Sequence, residues 1–286
     1  MTLRHLIKSI TTPQQRVKVK RWKRHLISFL KGEKKTSLEE LYDALVNGLG
    51  LKAGDRIVVA SSFGNLSGNY SPEDVVNLLM SIITEDGTIM MPYYPPTNST
   101  IWAKQNMVFD MKETKSGMGI LTNVFANMSG VVKSIHPTKA VCVWGKEAMS
   151  IAEGHERSTT PFYWDSPYGK ILRMGSKSVG LGLKNIPIFH TLEDILSDPI
   201  SFHYYAEKFR LGVKKEDGSR IDVETYVHNE SLMDKCKPAG DYVAKLGAKT
   251  YRKVNFGMAF LYSVDNTDLY EMVKSAYANG NTRYNQ

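Results

Sequence analysis

In "IPIFHTLEDIL" (186–196) one histidine and two acids interrupt an apolar stretch, and His190 and Glu193 stand three residues apart. On a helix that spacing makes them neighbours on one face. An imidazole titrates near pH 6.5 and so can take a proton at neutral pH. A carboxylate beside it holds the ring and steadies the imidazolium. The pair reads as a general base with its orienting carboxylate, or as a satisfied core histidine on a charged helix edge; spacing alone favours the second. Glu193 has another use, holding an acceptor's ammonium. "SIHPTKAVCVWG" (134–145) adds His136 and Thr138. A threonine hydroxyl is a donor for a developing oxyanion, while His136 either moves a second proton or fixes the turn before Pro137.

Other chemistries are missing from the chain. It has no G-x-S-x-G elbow, no phosphate-binding P-loop and no H-E-x-x-H, and "GLGLKN" lacks the third glycine of a dinucleotide fingerprint. A metal site is not expected, because His190-x-x-Glu193 finds no further ligands. The two cysteines, Cys142 and Cys236, form no C-x-x-C pair, as expected of a reducing, cytoplasmic compartment. No apolar run reaches the length of a membrane span, and the N-terminus lacks the apolar core of a secretory signal.

Charge is uneven. Residues 1–35 hold eleven Lys and Arg against one acid, Glu33, so this arm carries +10 while the whole chain carries +8. Residues 36–286 therefore carry −2. The expected organisation is a basic N-terminal arm (1–35) and one domain (36–286). The arm suits contact with a phosphate-bearing surface, such as a membrane face, or packing between subunits of a homodimer through Leu3, Leu6, Ile7 and Ile10. Nucleic acid is not expected as a partner.

The elements that must hold these residues follow from periodicity. Ser37 and Glu40 form a capping box that opens a helix to about Leu49. "RIVVASS" (56–62), "GTIMMPYY" (87–94), "AVCVWG" (140–145) and "SVGLGL" (178–183) read as buried strands. Between them "SPEDVVNLLMSII" (71–83), "MGILTNVFANM" (118–128), "KEAMSIAEG" (146–154) and "SPYGKILRMG" (166–175) read as helices. Beyond Phe209, "FRLGVKK", "RIDVETYVHN" and "KTYRKVNF" read as antiparallel strands, and "NTDLYEMVKSAYA" (266–278) as a closing helix. The fold class is α/β: a central, largely parallel or mixed sheet flanked by helices, with an antiparallel C-terminal portion. Residues 95–117 read as a long loop of functional interest.

In order along residues 36–280, several segments resemble the aminoglycoside 3-N-acetyltransferase family, whose fold is not that of the common GNAT acetyltransferases. They are "LGLKAGDRIVVASSFGNLSG", "EDGTIMMPYY", "FDMKETKSGMGILTNVF", "SIHPTKAVCVWG", "SPYGKILRMGSKSVGLGL", "FHTLEDIL" and "VNFGMAFLYSVDNTDLYEMV". The sequence departs from the family pattern after His136-Pro137-Thr138. The family usually has His and then Ser there, and this chain has Lys139 and Ala140.

The resemblance implies an acyl-CoA-dependent N-acyltransferase, with acetyl-CoA or a related thioester as co-substrate and no metal. It makes His190 the base, with Glu193 serving it or the acceptor amine, and places Thr138 and His136 at the thioester. It implies CoA contacts from Ser61, Ser62, Phe63 and Thr138, and from Ser116, Met118 and Gly119 along the pantetheine channel. Tyr93 and Tyr94 offer phenolic faces to a sugar. With the near-neutral body and basic arm, they lead us to expect a nucleotide-linked amino sugar as acceptor. An aminoglycoside antibiotic is the alternative, and a non-catalytic CoA- or phosphate-binding module a further one.

Overall fold

The computed structural model describes residues 35–197, 203–233 and 238–283. The expectations for the basic arm, and for Cys236, lie outside those residues. The unit described here is the compact one that starts at Thr36.

Among the described residues ten strands form two sheets. The larger contains β1 (Arg56–Ser61), β2 (Thr88–Pro92), β4 (Val132–Lys133), β5 (Val141–Gly145), β6 (Lys177–Leu181), β9 (Arg252–Phe256) and β10 (Ala259–Asp265), in the order β4-β5-β2-β1-β6-β10-β9. Only its centre, β2-β1-β6, is parallel; β5, β10, β9 and β4 all pair antiparallel. The sheet is thus mixed rather than largely parallel. The smaller sheet joins β3 (Phe109–Asp110), β7 (Phe209–Lys214) and β8 (Arg220–Thr225). The helices are α1 (Leu38–Asp43), α2 (Pro72–Ile83), α3 (Ser99–Lys104), α4 (Ile120–Phe125), α5 (Ala148–Ala152), α6 (Pro167–Arg173), α7 (Phe189–Leu196), α8 (Glu230–Met233), α9 (Ala239–Leu246) and α10 (Asn266–Ala278).

The continuous apolar runs of the central strands have a direct cause: both faces of the sheet are covered. Side chains alternate across a strand, so Ile57, Val59, Ile89 and Met91 enter one core while Val58 and Met90 enter the other. α2 covers the first face with Val75, Val76, Leu79, Ile82 and Ile83, and a capping box between Ser71 and Asp74 starts it. The Ser37–Glu40 box is also present, but α1 loosens into a wider turn over Ala44–Gly48. α6, α7, α9 and α10 pack on the second face through Tyr168, Leu192, Tyr242 and Val273.

The stretch 95–117 is not a structureless loop. It carries α3, capped by Asn98, and β3, which pairs with β7. Gly180 of β6 faces Tyr262 of β10, and a Cβ there would overlap the tyrosine ring. The Tyr262 hydroxyl donates to the carbonyl of Asn185, which ties down the segment between β6 and α7. Among the described residues no helix is long and apolar enough to cross a membrane.

Candidate active site

The three parallel strands end side by side, and a cavity of about 760 Å³ opens at their C-terminal edge. That is the usual place for a ligand on an open α/β sheet. Ser61, Ser62 and Asn65 follow β1, Pro92 ends β2, Gly182 and Lys184 follow β6, and Met118, Met258 and Phe260 complete the wall.

The geometry after β1 comes from a tight exchange with β6. The Ser62 amide donates to the Leu181 carbonyl at 2.8 Å, and the Asn65 amide group donates to the Gly182 carbonyl at 2.7 Å. Gly182 has φ +76°, and a Cβ there would stand 3.0 Å from the Ser62 carbonyl oxygen. A glycine is required for both reasons. In the 3₁₀ turn Phe63–Asn65 the first hydrogen bonds are donated by Asn65 and Leu66. The amides of Phe63 and Gly64 precede that ladder, as at any helix start.

Of the residues expected to contact CoA, Ser61, Ser62 and Met118 line the cavity. Phe63, Ser116, Gly119 and Thr138 do not. The Phe63 ring turns away to pack edge-on against Tyr70, centroids 6.3 Å apart. The Ser116 hydroxyl accepts from the Met118 amide and donates to the Tyr94 carbonyl, so it builds the bend instead. Gly119, at φ +112°, opens α4.

His190 and Glu193 lie on α7, one turn apart. His190 Nδ1 donates to Glu193 Oε2 at 3.1 Å. Because a carboxylate only accepts, the proton sits on Nδ1 and leaves Nε2 with its lone pair free. Arg283 grips the same carboxylate: Nε donates to Oε1 at 2.6 Å and Nη2 to Oε2 at 2.8 Å. His203 Nε2 stands 4.0 Å from Oε2. The Glu193 side chain is 0% exposed, whereas that of His190 keeps 31%. The Glu193 carboxylate is thus taken up by the histidine and the arginine rather than presented to solvent. Burial pushes the Glu193 carboxyl up, but the His190 hydrogen bond and the charges of Arg283 and His203 together hold it below its usual range. Desolvation pulls His190 below its ordinary value, while Glu193 opposes this and Arg283 and Lys139 add to it.

Rings surround the imidazole. Phe162 lies 5.2 Å from His190 and stacks on His228 at 5.4 Å; His228 is 5.0 Å from His190 and 4.6 Å from Tyr204. Next to Glu193, Asp194 accepts from the hydroxyls of Thr160 and Tyr204. Buried, and with no ion-pair partner among the described residues, its carboxyl is pushed up to about 8. Sequence reasoning missed Arg283, His203, His228, Phe162 and Tyr204. None belongs to a motif, and the fold alone brings them to α7.

His136 takes the structural option. Its Nδ1 accepts from the amides of Thr138 and Lys139 at 3.2 and 3.0 Å, so its proton is on Nε2, which donates to Thr225 Oγ1 at 3.0 Å. Both nitrogens are spent and the ring is buried, so it has no acid–base role to give. The turn it holds presents Thr138, whose Oγ1 is buried and has no hydrogen-bond partner among the described residues. Tyr93 is not a substrate platform either. It is buried against Phe109 and its hydroxyl donates to the Thr114 carbonyl. Tyr94 is half-buried; its hydroxyl meets that of Tyr168 and its ring lies under the Lys139 ammonium. Among the described residues no group of three His, Cys, Asp or Glu gathers in metal-binding geometry.

The family model described as aminoglycoside 3-N-acetyltransferase matches residues 58–278. The chain belongs to that family. It is similar to the SPbeta prophage-derived aminoglycoside N(3')-acetyltransferase-like protein YokD of Bacillus subtilis (strain 168), with 29% identity over 125 residues, 37% of this chain and 46% of that protein. The match thus spans about half the length of that curated relative. In structure the chain resembles the aminoglycoside acetyltransferase AAC(3)-Xa, with a TM-score of 0.73 at 16% identity, covering 89% of this chain and 96% of that one. It also resembles AAC-IIIb, solved as a binary complex with CoASH, with a TM-score of 0.70 at 16% identity, covering 86% and 98%. At these identities the likenesses establish a shared fold.

Proposed function

We propose that this protein transfers an acyl group from acyl-CoA to the amine of an amino sugar, with His190 as the general base. The observation that carries this reading is the buried chain Arg283–Glu193–His190, which ends in a partly exposed imidazole with a free Nε2. Family membership and the CoASH complex of a structural neighbour support the donor.

The chemistry follows from the positions. An amine attacks only without its extra proton. Nε2 of His190 takes a proton from the neutral amine as its nitrogen bonds to the thioester carbonyl carbon. The carbon–sulfur bond then breaks and CoA leaves as its thiol, with the proton returned to sulfur. Glu193 stabilises the imidazolium between these steps, and Arg283 keeps Glu193 ionised in its buried place. Thr138, with an unsatisfied buried hydroxyl, is the donor we assign to the carbonyl oxygen as it gains charge. The cavity at the strand ends suits CoA. Gly182 keeps the space beside the Ser62 carbonyl clear, and the amides at the start of the 3₁₀ turn are suited to phosphate oxygens.

The names of the relatives support an aminoglycoside as the acceptor, rather than the nucleotide-linked sugar expected from overall charge. One side chain near the histidine, Lys139, favours a different acceptor chemistry. We assign the basic arm to tethering or subunit contact, so removal of residues 1–35 should leave turnover intact.

Release of CoA thiol from acetyl-CoA, followed with a panel of gentamicin-type amines, amino-sugar phosphates and nucleotide-linked amino sugars, tests the reading. Amine-dependent release supports it; thiol release no faster than buffer hydrolysis with every amine and several acyl-CoAs rejects it.

A further inference from the structure

Lys139 is only 9% exposed. Among the described residues no carboxylate lies within 4 Å of its ammonium, which instead sits 4.6 Å from the centre of the Tyr94 ring. A cation over an aromatic face recovers part of the cost of leaving water, but a buried charge without an anion stays expensive. Burial accordingly lowers the lysine to about 8, with Glu230 the acid whose charge opposes the fall. The side chain is also in the right neighbourhood. The Lys139 amide binds His136, Tyr94 beneath its ammonium packs on Phe162, and Phe162 packs on His190. Its charge registers on both His190 and His228.

Folding alone does not require a lysine here, because its aliphatic stem and the Tyr94 face would accept a methionine. A charge kept at this cost, two ring contacts from a base that must receive a neutral amine, acts on whatever enters. It repels a polycation and attracts an anion. Resting on the acyl-transfer reading above, we propose that Lys139 is a specificity-determining residue that selects acceptors carrying a phosphate or carboxylate near the amine and disfavours polycationic ones.

The test compares the full chain with its Lys139→Met variant. kcat/KM is measured with acetyl-CoA and four acceptors: an amino-sugar phosphate, an amino-sugar acid, a nucleotide-linked amino sugar and gentamicin. Wild type should prefer an anionic acceptor, and the first three separate a phosphate monoester, a carboxylate and a diphosphate as its source. In Lys139→Met the ratio of anionic to gentamicin kcat/KM should fall about tenfold to a hundredfold, the worth of one charged hydrogen bond. An unchanged ratio overturns the proposal. So does an effect confined to the KM for acetyl-CoA, which would make Lys139 a donor contact. Calorimetric binding of the amino-sugar phosphate to both proteins gives a second readout that needs no turnover. Weaker binding to the variant supports the role of Lys139 even if acyl transfer itself fails, and equal binding, or none to either protein, rejects it even if acyl transfer succeeds.

Discussion

Arg283 grips both carboxylate oxygens of Glu193, at 2.6 and 2.8 Å, and shares Oε2 with His190. Glu193 is sealed from solvent, so its charge is compensated inside the fold, by Arg283 and the imidazole. Removing one partner of a buried pair leaves an uncompensated charge. Arg283→Met should therefore cost about 3–5 kcal/mol of stability by urea titration. A loss below about 1 kcal/mol would mean that the pair is screened like a surface bridge.

The same triad fixes a pH dependence. The base works when neutral, so kcat/KM should fall as the pH drops through the pKa of His190, which lies below 6.5. Glu193 stabilises the protonated ring and raises that pKa. Glu193→Gln removes the raising charge, so the acid limb of the profile should move to lower pH while the plateau drops. A limb that moves to higher pH would contradict the assigned direction.

Asp194 gives a stability signature independent of activity. Its carboxyl titrates at about 8 in the fold against an ordinary 3.8. Between those values the unfolded chain has released the proton and the folded one still holds it, so stability falls as the pH rises through the window. Asp194→Asn keeps an acceptor oxygen for Thr160 and Tyr204 but cannot ionise. Its melting temperature relative to wild type should climb between about pH 4 and about pH 8. Parallel curves would show that Asp194 ionises normally in the fold.

Gly182→Ala probes the cavity. At φ +76° a side chain costs about 1–2 kcal/mol, and its Cβ would press on the Ser62 carbonyl. The KM for acyl-CoA should rise more than that for the amine. An equal rise in both would separate this turn from the donor site.

What could be read beforehand was local. The capping boxes at Ser37 and Ser71 and the apolar runs of β1, β2 and β6 depend on neighbours a few residues away, and they formed as expected. Strand direction is not local: β5 has the same apolar pattern as β1 yet runs antiparallel to β2. β10, "AFLYSVD", has a strand's composition but follows Gly257 so closely that only its pairing with β6 and β9 separates it from the preceding strand. His190 and Glu193 were visible because one helical turn joins them. Arg283 lies ninety residues further on, and no spacing rule reaches it. Tyr93 misled for the opposite reason: an aromatic at a strand end looks exposed until β3 and the Thr114 carbonyl cover it.

The most direct measurement is the turnover of His190→Ala with whichever amine the wild type uses fastest. Loss of a positioned base costs on the order of 10²–10⁴ in rate. We expect kcat to fall within that range while acyl-CoA still raises the melting temperature and circular dichroism stays unchanged. A kcat within about tenfold of wild type, with the fold intact, would contradict the assignment of His190 as the base.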